Sequence, residues 1–167
     1  MYAQPNLMPW VQALREDVPD LRLYDAHVHV GLRDPAGLQA TEEEALDALE
    51  QVDSRALIFP LKEPAGYGSA NRHLLEVAEA HRDRLRMLAR LDPGDAAVGE
   101  AEGCLDAGAV GLKLHPRGEG FEIADERLDD VFELADERRL PVMIHAGIGN
   151  AAVGPRWHGP ARILRRD

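Results

Sequence analysis

Apolar residues along the chain fall into two alternating kinds of segment. Five short runs are dense in branched or bulky side chains and bounded by Pro, Gly or charge. They are "LRLYDAHVHV" (Leu21–Val30), "RALIFPL" (Arg55–Leu61), "RLRMLARL" (Arg84–Leu91), "AVGLKLHP" (Ala109–Pro116) and "PVMIHAG" (Pro141–Gly147). Each has strand length and strand composition. Between them the apolar positions recur at helical period. In "TEEEALDALEQV", Leu46, Leu49 and Val52 form a stripe behind a Thr41/Glu44 capping box. "NRHLLEVAEAHR" repeats the spacing with Leu74, Val77, Ala78 and His81. "DAAVGEAEGCLDAG" does so with Val98, Ala101 and Leu105, and Gly108 stands where a helix C′ glycine belongs. In "DERLDDVFELADERR", Leu128, Val131, Phe132 and Ala135 fall at i, i+3, i+4 and i+7.

Strand and helix alternate, so the expected class is α/β, with βα units stacked around a parallel sheet. Two architectures compete: an open doubly wound sheet and a (β/α)8 barrel. The turn after the first strand, "HVGLRDPAG", lacks the GxGxxG that an open nucleotide-binding sheet usually carries. The polar residues favour the barrel more directly. With a side-chain period of two, Asp25, His27 and His29 are expected to share one face of the first strand. Lys113 and His115 share a face of the fourth strand, and Met143 and His145 a face of the fifth. Each polar set sits at the C-terminal end of its strand, where barrel enzymes place their chemistry.

Histidines gathered in this way suggest a divalent metal. Neutral imidazole binds zinc and its neighbours at about 2.0–2.1 Å. Two histidines at i and i+2 on one strand can reach one ion, and a third from a nearby strand completes a facial set. The expected ligands are therefore His27, His29 and His145. Such an ion lowers the pKa of a bound water from about 15.7 to roughly 7. Lys113 has three open roles: a carbamylated bridging ligand, a substrate-binding cation, or a salt-bridged lysine. The last two are favoured. His115 either lines the pocket or caps its strand through a backbone hydrogen bond. Asp25 reads as a structural neighbour and not a ligand. His73 and His81 lie on an expected helix and His158 in a loop. The run Glu42–Glu44 is a helix first turn, where negative charge suits the dipole.

The stretches "DAHVHV", "GLKLHP" and "LPVMIHAG", in this order at strand-sized intervals, resemble the amidohydrolase superfamily, in particular its amidohydrolase-2 branch. That branch holds metal-dependent hydrolases and carboxymuconate-semialdehyde-type decarboxylases. "FPLKEPAGYGSANRHLLEVAEAH" and "ARLDP" resemble its second and third units. The resemblance runs from about Leu21 onward. It implies a distorted (β/α)8 barrel holding zinc, with manganese or iron as alternatives. His27 and His29 match the first-strand ligands and His145 the fifth-strand ligand. Lys113 and His115 match a "K-L-H-P" element whose role varies and which is expected to contact substrate. The family adds a histidine on strand six and an aspartate on strand eight, which this chain of 167 residues does not reach. The expectation is an N-terminal segment (1–20), then a partial barrel (21–167) of about five βα units, with catalytic residues beyond Asp167. Its last helix is expected in "GPARILRRD".

Composition narrows the partners. The chain is 45% hydrophobic and 29% charged, ordinary for a globular domain. Lys plus Arg is 19 against 30 Asp plus Glu, a net charge of -11. That balance disfavours nucleic acid and anionic membranes. Cys104 is the only cysteine, and there is no signal-like start or long apolar run, so a cytoplasmic protein acting on a small molecule is expected. A half-open sheet also predicts self-association, or pairing with a missing C-terminal half. The competing functions are a TatD-like or histidinol-phosphatase-type phosphoesterase, and a non-catalytic half-barrel binding module.

Overall fold

A computed structural model describes residues 4–94 and 96–146. The helix expected in "GPARILRRD", together with Gly147 and His158, lies outside the described residues. The element order is α1 (Gln4–Asp17), β1 (Leu23–Val30), α2 (Glu42–Gln51), β2 (Ser54–Pro60), α3 (Gly68–Ala80), β3 (Leu85–Met87), β4 (Ala89–Leu91), α4 (Ala97–Asp106), β5 (Leu112–Leu114), α5 (Pro116–Glu119), α6 (Asp129–Glu137) and β6 (Val142–Ile144). A 3-10 turn over Glu126–Leu128 leads into α6.

All strand pairs are parallel, in two three-stranded sheets of order β1-β2-β3 and β4-β5-β6. The third apolar run makes both β3 and β4, and only Leu88 separates them. Leu88 N–H donates to the Ile58 carbonyl (3.0 Å), and Ala89 N–H donates to the Gly111 carbonyl (3.0 Å). One strand thus passes from the β2 neighbour to the β5 neighbour at Leu88. The five expected strands appear in chain order as one curled surface, with helices α2, α3, α4 and α6 supplying its cover.

The helical stripes become the core. Leu49, Leu74, Ala101, Cys104, Leu128, Val131, Leu134 and Ala135 pack against Ala56, Ile58, Leu85, Met87, Leu112 and Leu114. Local signals operate as read. Thr41 Oγ1 accepts from Glu44 N–H (3.1 Å), and Glu44 Oε2 accepts from Thr41 N–H (2.9 Å). At Gly108, with φ +111°, a Schellman motif closes α4: Ala109 N–H reaches the Cys104 carbonyl and Gly108 N–H the Leu105 carbonyl. Gly111 is required by proximity, since a Cβ there would lie 2.5 Å from the Pro141 carbonyl oxygen.

One expectation about faces needs correction. The β1–β2 register runs Asp25 to Ala56 and then Val28 to Ile58, so Ala26 and His27 together oppose Leu57. This bulge breaks the alternation that was to carry Asp25, His27 and His29 on one face. Asp25 Oδ1 accepts from His27 N–H (2.9 Å) and holds the bulge, a structural role.

Candidate metal and substrate site

The bulge sets His27 and His29 side by side at the C-terminal half of β1. Their Nε2 atoms are 3.2 Å apart. Both rings lie edge-on to Phe59, whose centroid is 5.1 Å from that of His27 and 4.5 Å from that of His29. Phe59 on β2 is fully buried and fixes the pair from beneath.

Lys113, central in β5, is also fully buried, and its Nζ stands 5.0 Å from the Phe59 ring centroid. Nζ has no hydrogen-bond partner among the described residues. The salt bridge considered for Lys113 is therefore not made there, to Asp25 or to any other described carboxylate. Burial, then the Arg90 guanidinium, lower its pKa to about 8, against an opposing pull from Glu119. His115 follows at the end of β5, and its backbone hydrogen bond caps the helix that follows and not the strand. Its Nδ1 accepts from Gly118 N–H (2.9 Å), capping α5, and its ring stacks on His145 at 3.9 Å and 9°. That bond puts its remaining proton on Nε2 when the ring is neutral.

Four residues that sequence reasoning passed over support the site. Arg90 on β4 and Glu119 in α5 form an ion pair at 2.7 Å, with side chains 2% and 3% exposed. Arg90 also donates to the Pro60 carbonyl (2.9 Å), and Tyr67 O–H donates to Glu119 Oε1 (2.6 Å) under the guanidinium. The available signal was the arginine inside the otherwise apolar stretch "MLARL" (Met87–Leu91). Asn71 then locks β4 to α3, bonding both the backbone N–H and carbonyl of Arg90. Loops converge on the same rim: Lys62 N–H donates to Asp34 (3.3 Å), Lys62 Nζ donates to the Gly118 carbonyl, and Arg33 pairs with the buried Glu63 at 3.1 Å.

The electrostatics keep the imidazoles neutral. Burial, Arg90 and His27 push His29 down to about 4. Burial, then His145 and Arg90, push His115 to about 3. His27 and His145 are lowered by burial and by the Lys113 charge. Neutral imidazole is the ligating form. Two ligands on one tetrahedral ion at about 2.0–2.1 Å stand about 3.3 Å apart, so the observed His27–His29 separation fits a shared ion. The third expected ligand is placed differently. His145 is turned flat against His115, and among the described residues no three His, Cys, Asp or Glu side chains are close enough to hold an ion. The residues present fit two coordination positions of an ion, with His145 adjacent. No helix among the described residues is long and apolar enough to cross a membrane.

Known proteins match this arrangement of strands. A structure of an amidohydrolase II superposes with TM-score 0.61 at 22% identity, over 74% of this chain and 50% of that one. A Staphylococcus aureus protein described as an amidohydrolase gives TM-score 0.60 at 16% identity, over 78% and 49%. An Acinetobacter baumannii protein described as a 2-pyrone-4,6-dicarboxylic acid hydrolase, with citric acid bound, gives 0.52 at 17% identity, over 75% and 50%. No curated protein matches. The chain thus spans about half the length of these structures, and its parallel α/β architecture is that of their barrel. A sequence-family model described as Amidohydrolase matches residues 24–165, and the chain belongs to the amidohydrolase family.

Proposed function

We propose that the chain carries the first-strand metal ligands and the substrate-facing cation of a divalent-metal-dependent hydrolase or carboxy-lyase. The carrying observation is the 3.2 Å approach of His27 Nε2 and His29 Nε2 beside a buried Lys113 that has no hydrogen-bond partner among the described residues. Family membership supports hydrolase or lyase chemistry, and divalent metals are general in that family. His27 and His29 would hold the ion, most simply zinc. His145, stacked on His115, would be the third ligand. When bound, such an ion polarises a carbonyl or carboxylate oxygen and makes a coordinated water more acidic.

The remaining residues have their own tasks. Lys113 offers an ammonium that lacks any anionic partner among the described residues, so it orients a negatively charged or carbonyl oxygen of the substrate. His115 has Nδ1 committed to Gly118 and presents Nε2–H as a donor. Phe59, fully buried, packs edge-on against the histidine pair. Arg90 and Glu119 hold the walls in place. Hydrolysis and decarboxylation are both open to this set of residues.

The test is metal binding by this chain. Zinc or manganese should raise its melting temperature, and His27→Ala should abolish the rise. A wild-type melt indifferent to both metals would overturn the assignment. In that case a binding module built on the same half-sheet becomes the better reading.

A further inference from the structure

The opposite, N-terminal end of the strands carries a second concavity that the proposed chemistry does not use. A cavity of about 310 Å³ is lined by Tyr24, Arg55, Arg82, Asp83, Arg84 and Arg86. Tyr24 lies five residues before His29 on β1, which separates the two sites by roughly 16 Å at about 3.3 Å per residue. Four guanidinium groups thus converge on one hollow in a chain whose net charge is -11.

The four are not equally committed. Arg82 is tied to Glu79, and Arg84 pairs with Asp53 at 3.3 Å while also donating to the Ser54 carbonyl. Among the described residues, Arg86 bonds only backbone carbonyls, those of Arg82 and Leu85. The Arg55 guanidinium makes no hydrogen bond among the described residues. Tyr24 and Arg55 are register partners across β1 and β2, and Arg86 partners Leu57 one pleat further on. Arg55 and Arg86 therefore line the hollow with Tyr24, whose pKa burial raises while both guanidinium groups pull it down. The sole carboxylate in the lining is Asp83.

We propose that this hollow binds a small phosphate monoester, with its dianionic group held by Arg55, Arg86 and the Tyr24 hydroxyl. Two unneutralised guanidinium forks and a phenol present more donors than one carboxylate can accept, whereas a tetrahedral dianion has oxygens for all of them. The volume left over takes the organic part of the ester.

The test uses the 167-residue chain with a chelator present and glucose 6-phosphate and inorganic phosphate as probes, followed by phosphorus NMR line broadening and calorimetry. Saturable binding of glucose 6-phosphate is expected, weakened at least about tenfold in Arg55→Gln, the loss of one charge-assisted contact. His27→Ala should leave it unchanged. Arg55 is exposed and makes no side-chain hydrogen bond, so its substitution should not disturb folding; Tyr24→Phe gives a second, milder reading. Inorganic phosphate binding equally well would overturn the ester assignment in favour of a free-anion site. No saturation by about 10 mM, indifference to Arg55→Gln, or equal binding of citrate or poly-glutamate would overturn the phosphate proposal.

Discussion

At the scale of single residues, the candidate site is a set of imidazoles kept neutral by burial and by two nearby cations. This has a consequence for the metal-free chain. His29 and His115 are lowered to about 4 and about 3 in the fold, while the unfolded chain titrates near 6.5. Between pH 6.5 and about 4, the unfolded state takes up protons that the folded state refuses. Stability is therefore fully present above pH 6.5 and falls as the pH drops through that window. Urea denaturation at pH 7.5 and pH 5 in the presence of a chelator should show the loss, and His115→Gln should make the slope shallower. An identical midpoint at both pH values would contradict this. The histidines themselves were legible in the sequence, because imidazole at a strand end is a conspicuous choice. The Arg90–Glu119 pair was not. Its members are 29 positions apart, and only the curl of the sheet brings them together.

At the scale of elements, what is local was readable and what depends on pairing was not. The Thr41–Glu44 box and the Gly108 terminus rest on residues three to five apart, and both formed as expected. The bulge at Ala26–His27 depends on how β1 meets β2, so no periodicity announced it. Helix α1 lay hidden in the N-terminal segment because Pro9 sits inside it and its apolar pattern is weak. The end of α6 repeats the closure of α4 with an awkward residue. Leu140 N–H reaches the Ala135 carbonyl and Arg139 N–H reaches that of Asp136, the Schellman pattern again, but the C′ position is Arg139 at φ +52°. A side chain there strains the backbone, and glycine would not. Arg139→Gly should stabilise the chain by about 0.5–1 kcal/mol, seen as a higher urea midpoint at unchanged m value. A lower midpoint would count against the strain argument.

At the scale of the molecule, the described sheet ends on two strands that each pair on one side only among the described residues, β1 with β2 and β6 with β5. Apolar side chains stand exposed near them: Tyr24 at 51%, Leu32 at 56% and Ile144 at 38%. Unpaired strand edges beside apolar surface favour association with another chain. Sedimentation velocity should show a weight-average mass that rises with concentration, and a monomer at every concentration would refute the expectation. Barrel architecture was legible because five strand-like runs recur with helices between them. The number of residues in each ladder was not, since only three residues each of β5 and β6 find partners.

The handover at Leu88 shapes how these pieces must fold. Pairing between neighbouring βα units is short in sequence, so each three-stranded sheet can assemble from local contacts. Yet neither sheet is complete without the single strand they share, and the Leu88 and Ala89 amides point to carbonyls on opposite sides of it. Opening either sheet therefore releases one flank of the same strand. The two halves should exchange their amide hydrogens as one cooperative unit, with Leu88 and Ala89 among the slowest in the chain.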